Sequence, residues 1–384
     1  EAGDKTGHYS QGIMGLIKVE TSRDLERFVR LPWKIYKDQP YWIPPLIWER
    51  KQFLNPDINP FFEHAEVDLF LAVDAGQSPV GRIALIHDRS YQDLHQEPVG
   101  MFGMFESMED AKLSRLLLDK AYQWCQERGF ARLMGPMNLS TNHECGLLIE
   151  GFDSPTMFGI PYNPEYYKKH FEAWGLQKAQ DLVAFKMDPI QIPDYLKHAA
   201  VKLKQRNRFT VRCLNLDRFE KEISILWDIY NSAWSRNWGF VPMTRKEFEF
   251  SAQEMKSIVQ PEFCLIAEVK GEPAGFSLAL PDVNQVFKQL DGRLFPFGWA
   301  RFLWQKNKID AYRVPMLGVK KKFRRLGIDA WFYHETLRLF VEKKIKWFEM
   351  SWLLADNKSI VDPMHRMGGQ IYKRHRIYER SIAS

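Results

Sequence analysis

The sequence predicts an α/β protein with a mixed sheet, built from two tandem units of similar element order. Apolar residues alternate with a period of two in some segments and recur every three to four residues in others, which indicates strands interleaved with helices. In each half these segments follow the order strand, helix, hairpin, strand, helix, strand, helix, strand. A chain of 384 residues also has room for two domains of about 150–200 residues each.

The chain divides into three parts on this pattern. Residues 1–13 are polar and glycine-rich, so we interpret them as a disordered or tag-like terminus and exclude them from the fold. Residues 14–190 form the predicted first unit. Residues 191–384 form the predicted second unit, which carries an insert rich in aromatic and basic residues at 284–308. The repeated order indicates an ancient duplication.

Each element of the first half has its own sequence pattern. Thr21 or Ser22 is expected to cap the first helix, and Gly129 to end the second. Prolines interrupt residues 31–62 so often that we predict packed irregular structure there. The predicted strands are residues 16–21, 66–74, 79–88, 99–106, 132–135 and 182–187, and the predicted helices are residues 22–30, 110–128 and 164–174.

The second half repeats this order. Thr244 and Glu247 have the spacing of a capping box at the start of one helix. The predicted strands are residues 210–214, 263–269, 274–280, 314–319, 347–351 and 371–378, and the predicted helices are residues 219–234, 244–258, 328–342 and 357–367.

Composition excludes several classes of protein. The four cysteines lie far apart without a C-x-x-C pair, which favours free thiols in a reducing compartment, and neither they nor the ten histidines have metal-ligand spacing. No apolar run approaches the roughly 18 residues of a membrane span. We therefore predict a cytoplasmic protein without a metal. The net charge of +6 leaves nucleic acid, anionic lipid or a phosphorylated cofactor as partners.

The most specific signal is an apolar strand that runs into a basic loop, a glycine and an amphipathic helix, over residues 314–342. Backbone N–H groups at a helix N-terminus bind phosphates, and arginine adds charge to such a site. The segment is neither a P-loop nor a dinucleotide fingerprint. A solvated basic turn is the alternative. The residues predicted to bind the cofactor here are Leu317, Gly318, Val319, Arg324, Arg325, Leu326, Gly327, Ile328 and Asp329.

This segment resembles the loop of the GNAT acyltransferase superfamily, whose pattern is R/Q-x-x-G-x-G/A. Arg324 and Gly327 match its first and fourth positions, whereas Asp329 stands where glycine or alanine is usual. Downstream, Asn357 lies eleven residues before a glycine, as in the family's last helix, and belongs to the predicted cofactor site. The whole chain resembles an uncharacterised bacterial family of tandem GNAT proteins, and the cradle is recognisable only in the second unit.

The resemblance implies an activity and its substrates. It implies an N-acyltransferase that takes an acyl group from acyl-CoA or acetyl-CoA, with a phosphopantetheine arm on an acyl carrier protein left open as the donor. Some acyltransferases of this general kind pass long acyl chains to lipid amines, including sphingoid bases, so a small-molecule or lipid amine is the expected acceptor. The family's usual tyrosine acid falls at Met364, and the neighbouring His365 is the nearest replacement.

Amine acylation also needs a base that takes the proton of the nucleophile. Glu349, on the predicted strand 347–351, is the first candidate, and an outward polar residue of an alternating strand is the alternative. The loop 136–146 concentrates small polar side chains, either to face a substrate or to hold its own turns. From it we select Glu144 and Asn142 as active-site candidates, while His143 is expected to be a surface residue.

The insert at 284–308 interleaves aromatic residues with five basic residues and a single acid, Asp291. Three interpretations stay open: core packing between the units, the roof of an acyl tunnel, and peripheral contact with the inner face of a membrane.

Two rival functions also stay open. A transferase of the peptidoglycan-bridge type would take an aminoacyl group from tRNA, and residues 202–212 supply a basic cluster for it. The long charged hairpin of those enzymes is missing, which disfavours nucleic acid as a partner. A non-catalytic acyl-CoA or lipid-binding protein is the second rival.

Overall fold

The structure is a computed structural model, and it describes residues 13–189, 191–294 and 298–383. The expected loose terminus therefore lies outside the described residues except for Ile13, which begins the first strand. The strands are β1 Ile13–Lys18, β2 Ala65–Asp74, β3 Pro79–Asp88, β4 Val99–Ser107, β5 Arg132–Gly135, β6 Leu147–Glu150, β7 Gln177–Met187, β8 Thr210–Cys213, β9 Cys264–Val269, β10 Glu272–Pro281, β11 Ala311–Val319, β12 Trp347–Leu354 and β13 Gln370–Ser381.

Helices connect these strands. They are α1 Ser22–Ile35, α2 Ile47–Phe53, α3 Arg89–His95, α4 Ala111–Glu127, α5 Tyr166–Trp174, α6 Asp194–Arg206, α7 Phe219–Ala233, α8 Arg245–Met255, α9 Asn284–Phe287, α10 Gly298–Gln305, α11 Ile328–Glu342 and α12 Lys358–Arg366. Among the described residues, no helix combines the length and the apolar character that crossing a bilayer requires.

All the described strands join in a single sheet of thirteen strands. Its order is β1-β2-β3-β4-β5-β13-β7-β12-β11-β10-β9-β8, and β6 pairs with β13 beside this path. The pairs β4–β5 and β11–β12 are parallel and the remaining pairs are antiparallel, so the predicted mixed α/β sheet is confirmed. The last strands of the two halves are exchanged, because β13 pairs with β5 and β7 pairs with β12. The division into two domains near residue 190 stays a prediction, and the single sheet contains strands from both sides of it.

The helices cover both faces of the sheet in a repeated arrangement. α1 and α2 pack on one face of the first half, and α7 and α8 pack on the same face of the second half. α4 and α5 cover the opposite face of the first half, and α11 and α12 that of the second. Neighbouring residues of β7 show the alternation, since Leu182 packs with the α1 cluster and Val183 with the α11 cluster.

The region 31–62 is more regular than its prolines indicate. α1 continues through Pro32 to Ile35, and α2 follows within the region predicted to be irregular. Pro32 has no N–H to donate to the carbonyl of Phe28. A side chain replaces the missing donor, because Arg82 Nη1 lies 2.7 Å from Phe28 O. A contact between distant parts of the chain therefore allows a helix that the local sequence disfavours.

The sequence analysis also missed α6. Leu196 and Ala200 are the buried residues of this helix, and it packs along α11. Its basic residues belong to the segment that we interpreted as a positive cluster for tRNA. The apolar face of α6 is narrow, and the surrounding lysines obscured its helical period.

One histidine links the two halves on the α1 and α7 face. His64 Nδ1 lies 3.0 Å from Asp88 Oδ1, and His64 Nε2 lies 3.2 Å from Glu247 Oε1 in the second half. Glu247 is also the acid of the predicted capping box with Thr244, which is confirmed. Burial alone would lower the pKa of His64, but the bonds to the two carboxylates outweigh it and raise the pKa to about 9.

This ion pair predicts how stability depends on pH. Since the pKa of His64 in the folded protein lies above its ordinary value of 6.5, its stabilisation is fully present below pH 6.5 and is lost as the pH rises toward 9. We expect His64→Gln to remove roughly 2 kcal/mol of stability at pH 6, and nearly none at pH 9, in urea unfolding. His198→Gln, on the exposed surface of α6, is the matched control. Equal losses at both pH values would contradict this role for His64.

Candidate active site

Two parallel strands of the second half separate to form a slit. β11 and β12 pair from Ala311 opposite Trp347 to Val314 opposite Met350, and then diverge. The register of β11 against β10 shifts beside Pro315, which marks a bulge at the point of divergence. Proline has no N–H and suits such a bulge. A small apolar cavity occupies the slit, lined by Val314, Leu317, Tyr333, Thr336, Leu337, Phe348, Met350 and Met367.

The predicted residues Leu317, Gly318 and Val319 lie on the edge of this slit. Lys320 N donates to Ala274 O at 2.8 Å, and bonding directions alternate along an antiparallel pair. Gly318 therefore directs its backbone groups to β10, whereas Leu317 and Val319 direct theirs into the slit. Val319 O already accepts from Arg324 Nε at 3.2 Å, so the backbone groups of Leu317 and the N–H of Val319 are the ones that can bind an extended chain with its own amide groups.

The basic loop ends at the N-terminus of α11. Gly327 precedes the helix with φ +83°, Ile328 is its buried first residue, and Asp329 is exposed in the first turn. Leu326 packs with Ile328 in a small apolar cluster. The fold thus brings the predicted cradle residues together at one helix end, where unpaired N–H groups lie.

Arg324 and Gly327 have structural roles in this loop. Arg324 donates from Nε to Val319 O at 3.2 Å and from Nη2 to Ala233 O at 2.9 Å, so its guanidinium joins the loop to the end of α7. A Cβ on Gly327 would lie 2.7 Å from Leu203 Cδ2 of α6. The glycine is therefore required by its positive φ and by α6, independently of any phosphate.

Because the guanidinium of Arg324 is bonded to carbonyl groups, the charge available to a ligand comes from the other basic residues of the loop. Lys320 pairs with Asp228, and Lys322 pairs with Glu272. Lys321 and Arg325 are exposed and have no ion-pair partner among the residues that the structure describes. These two cations, beside the N-terminus of α11, can contact a phosphate.

Asn357 and His365 lie on α12. Asn357 occupies the N-cap position, and its Oδ1 accepts from Ser359 Oγ at 2.6 Å. His365 is exposed, with its ring edge against Phe185 at 4.9 Å between centroids. Its role as proton donor stays a prediction.

Glu349 lies on the other face of the sheet from His365. Its neighbours Phe348 and Met350 pack in the cluster that includes α12, so Glu349 between them points the opposite way. It is 0% exposed, which is incompatible with an outward polar residue. The hydroxyls of Ser351 and Tyr372 donate to its carboxylate.

Arg313 completes the cluster around Glu349. Arg313 Nε lies 3.7 Å from Glu349 Oε1 and 2.9 Å from Ser351 Oγ. Burial, followed by the charge of Glu349, raises the pKa of Tyr372 well above its ordinary range. Sequence reasoning missed Arg313 and Tyr372. The available signal was an arginine within the otherwise apolar segment 311–319.

The first half seals this cluster. The segment after β6 crosses it, and Phe158 donates its N–H to Asp282 Oδ1 at 3.1 Å and accepts from Arg313 Nη1 at 2.9 Å. Lys373 Nζ donates to Ser154 O at 2.8 Å in the same segment. Burial raises the pKa of Asp282 to about 7. The cluster is therefore a buried seam between the halves.

The loop 136–146 docks on the second half through Thr141 and Asn142. Asn142 Nδ2 donates to Val241 O at 2.9 Å, and Asn142 Oδ1 accepts from Tyr230 Oη at 2.7 Å. Thr141 Oγ1 donates to Gly239 O at 2.7 Å. Asn142 thus holds the loop against α7 and the segment that follows it.

Glu144 lies in the same loop, and its side chain is partly exposed. It pairs with Arg50 at 3.2 Å, accepts from Asn138 Nδ2 at 2.9 Å, and has a side chain that is 28% exposed. Burial would raise the pKa of Glu144, but the charge of Arg50 outweighs it and holds the pKa below its ordinary value. Glu49 shares this arginine at 2.6 Å. Burial lowers the pKa of Arg50, but the charges of Glu144, of Glu49 and, less strongly, of Glu254 raise it.

His143 is not the surface histidine that we expected. Its ring packs at 5.2 Å against Phe53 and at 5.6 Å against Phe61, and its Nδ1 lies 2.9 Å from Ser140 Oγ. Burial lowers the pKa of His143 to about 4, so the ring is neutral at physiological pH.

The corresponding slit of the first half is filled by this loop. A Cβ on Gly103 of β4 would lie 1.7 Å from Met137 O, and Asn138 Oδ1 accepts from Met104 N at 2.8 Å. A polar cavity of about 70 Å³ remains beside it. It is lined by Tyr36, Arg82, Met104, Phe105, Glu106, Pro136, Asn138, Glu144, Cys145, Gly146, Leu147, Pro161, Tyr162, Asn163 and Tyr167.

Within residues 13–189, 191–294 and 298–383, no three His, Cys, Asp or Glu side chains are grouped so that they could hold a metal ion.

Comparison with solved structures defines the class of fold. The chain has the tandem GNAT fold, because a tandem GNAT protein from the clavulanic acid biosynthesis pathway matches it with a TM-score of 0.57 at 10% identity, over 96% of this chain and 98% of that one. A GCN5-related N-acetyltransferase from Sphaerobacter thermophilus matches with a TM-score of 0.53 at 12% identity, over 96% of each chain.

Sequence comparison then gives the family. The bacterial ceramide synthase of Caulobacter vibrioides is 37% identical over 377 residues, which cover 96% of this chain and 98% of that protein. Protein YghO of Escherichia coli is 37% identical over 377 residues, which cover 96% of both chains. The chain therefore belongs to the family of the Caulobacter bacterial ceramide synthase. No protein-family model matches it.

The burial of Glu349 predicts a large loss of stability in Glu349→Gln. Neutralising this carboxylate leaves Arg313, whose side chain is 12% exposed, without its counter-ion, and breaking a buried pair in this way costs about 3–5 kcal/mol. Tyr372→Phe removes one hydrogen bond to the same carboxylate and should cost about 1 kcal/mol. Urea unfolding of both variants measures the difference. Equal, small losses would mean that Glu349 carries little charge in the folded protein.

Proposed function

We propose that this protein is an N-acyltransferase that moves an acyl group from a CoA thioester to the amine of a lipid, with a sphingoid base as the acceptor class. The observation that carries the proposal is the open slit between β11 and β12, which leads to the basic N-terminus of α11. Membership of the family of the Caulobacter ceramide synthase supports a lipid amine as the acceptor.

The donor fits the second half by its shape and charge. The phosphates of CoA bind Lys321, Arg325 and the N-terminus of α11, since all three are positive or have N–H groups to donate. The pantetheine arm is slender and carries two amides. It extends along the slit, where the backbone groups of Leu317 and the N–H of Val319 bond to those amides as an added strand would.

The reaction takes place where the slit opens toward the α7 face. The amine nitrogen attacks the thioester carbonyl carbon, the carbon–sulfur bond breaks, and the thiolate of CoA leaves and takes a proton. Backbone N–H groups at the β11 bulge stabilise the negative oxygen of the tetrahedral intermediate. The acceptor ammonium gives one proton to a carboxylate or to water before the free amine attacks, and after the attack the nitrogen loses a second proton, which balances the one that the thiolate takes. The product is an amide.

The acceptor amine approaches from the face of the sheet on which α1 and α7 lie, where the two halves meet. The carboxylates of Glu49 and Glu144 contact the guanidinium of Arg50, and their charges also act on Glu254. Burial and the neighbouring Glu49 raise the pKa of Glu254 to about 7, and the group as a whole is negative. A negative group at the edge of the site concentrates ammonium ions. Glu144 is the member of this group that belongs to the loop docked on α7.

Acyl transfer from palmitoyl-CoA to sphinganine tests the proposal, with the N-acyl product detected by mass spectrometry and free CoA by thiol titration. We expect Lys321→Gln together with Arg325→Gln to raise the KM for palmitoyl-CoA about tenfold or more, because each charge-assisted bond to a phosphate contributes about 1.5–3 kcal/mol. The KM for sphinganine should not change.

Lys322→Gln is the matched control, because the ammonium group of Lys322 is already paired with Glu272. It should leave the KM for palmitoyl-CoA unchanged. If the wild-type protein transfers acyl groups from a carrier protein and not from CoA, the CoA-specific part of the proposal is wrong. Absence of amide product with either donor would contradict the proposed activity as a whole.

A second variant tests the acceptor side. Glu144→Gln removes the carboxylate of a partly exposed side chain, so we expect kcat to fall and the KM for sphinganine to rise, by about tenfold together, at an unchanged KM for palmitoyl-CoA. Steady-state kinetics with each substrate varied in turn measures the three constants.

Glu49→Gln controls for the loss of a negative charge beside Arg50. It removes a carboxylate that also contacts the arginine but leaves Glu144 and its loop in place. Equal effects of Glu49→Gln and Glu144→Gln would assign the contribution to the local field and not to Glu144.

A further inference from the structure

The helix α10 exposes three large apolar side chains within six consecutive residues. Trp299 is 51% exposed, Leu303 49% and Trp304 68%, and no residue of α10 is buried. We call these three residues the α10 face. Elsewhere in the described chain, exposed large apolar residues are single and scattered. A concentration of this kind marks a surface that contacts something other than water.

The opposite side of α10 attaches it to the protein. Phe302 packs on Phe287 with 6.1 Å between ring centroids, and Arg301 Nη1 donates to Gln289 O at 3.3 Å. At about 100° per residue, the α10 face and Ala300 together cover an arc of roughly 140° that excludes Phe302. The apolar arc is therefore turned away from the core by the way the helix is anchored.

The insert is also anchored as a unit on the first half. Asp291 Oδ1 accepts from Trp33 Nε1 at 2.8 Å, and Gly292 O accepts from Ile47 N at 3.0 Å. Core packing, one of the three interpretations of the insert, holds for the part around Asp291 and Gly292 and not for α10. The tunnel-roof interpretation requires Trp299 and Trp304 to face inward as Phe302 does, which their exposure contradicts.

The surroundings of the α10 face are basic. Residues 292–308 contain Arg293, Arg301, Lys306 and Lys308 and no acid. Lys308 Nζ lies 3.8 Å from the centroid of the Trp304 ring, which places a cation at the edge of the apolar arc. Tryptophan beside lysine and arginine is the side-chain chemistry that suits the headgroup layer of a bilayer. A positive rim favours lipids with negative headgroups.

We infer that the α10 face docks this protein on the surface of an anionic lipid bilayer. Trp299, Leu303 and Trp304 enter the boundary between headgroups and acyl chains, and the four basic residues contact lipid phosphates. This inference rests on the proposed function and extends it. A long-chain amine, the proposed acceptor, resides in a membrane. Docking on the membrane would let the lipid amine reach the face of the sheet that carries α1 and α7 without passing through water.

Vesicle co-sedimentation tests the docking without reference to turnover. The wild-type protein should sediment with vesicles of phosphatidylcholine and phosphatidylglycerol, and much less with phosphatidylcholine alone. The variant Trp299→Ser, Leu303→Ser, Trp304→Ser should lose about tenfold or more of this binding. Lys308→Glu should lose about fivefold, and added salt should weaken wild-type binding. Leu94→Ser, which removes a 51% exposed leucine on α3, is the matched control and should bind as the wild type does.

Three outcomes overturn the inference. They are a wild-type protein that does not sediment with anionic vesicles, a triple variant that binds as well as Leu94→Ser, and a wild-type dimer that the triple variant converts to a monomer. The last outcome would assign the α10 face to a second copy of the chain. Acyl transfer from palmitoyl-CoA to sphinganine in detergent micelles separates the two proposals, because the triple variant should keep its activity there.

Discussion

The antiparallel pairing of β7 with β13 is the interaction on which the rest of the structure depends. It joins the last strand of each half along the centre of the sheet, and each of these strands also pairs with the other half. Buried backbone groups need partners, so neither half can complete its sheet alone without leaving bonds unmade along β5 or β12. The loop docked on α7 and the segment over Glu349 are further contacts between the halves.

Charges buried at the junction of the halves make the arrangement specific. Arg313, Glu349 and Tyr372 come from three strands of the second half, and the segment that covers them comes from the first. Arg313 and Glu349 pair within the second half. Displacement of the first half, however, would remove the backbone partners that Phe158 gives to Arg313 and Asp282, which is costly for buried charges. The junction therefore favours one relative position of the halves, and that position sets where the loop 136–146 meets α7.

Much of the fold could be predicted from local sequence. The hairpin β2–β3, the helices α4, α7, α8 and α11, the capping box of α8 and the cradle loop follow from periodicity, caps and glycine positions. Apart from α6, whose helical period its lysines obscured, the failures were non-local. Arg82, distant in sequence, supports α1 through Pro32, and Leu203 of α6 covers Gly327. The burial of Glu349 depends on a segment about 190 residues earlier in the chain, which no window of neighbouring residues can contain. Periodicity assigned Glu349 to the correct strand but could not show what covers that face.

The contact between Leu203 and Gly327 links the position of α6, which connects the two halves, to the turn at the start of α11. α6 follows β7, which is fixed in the centre of the sheet, and precedes β8, which is fixed at its edge. Its length is therefore determined at both ends, and its apolar face rests on the turn that starts α11. An insertion or deletion of one residue in α6 would rotate the helix by about 100° and lift Leu203 from that turn. α6, which connects the repeats, is thus a wall of the proposed cofactor pocket, and a change in the spacing of the repeats would reshape that pocket.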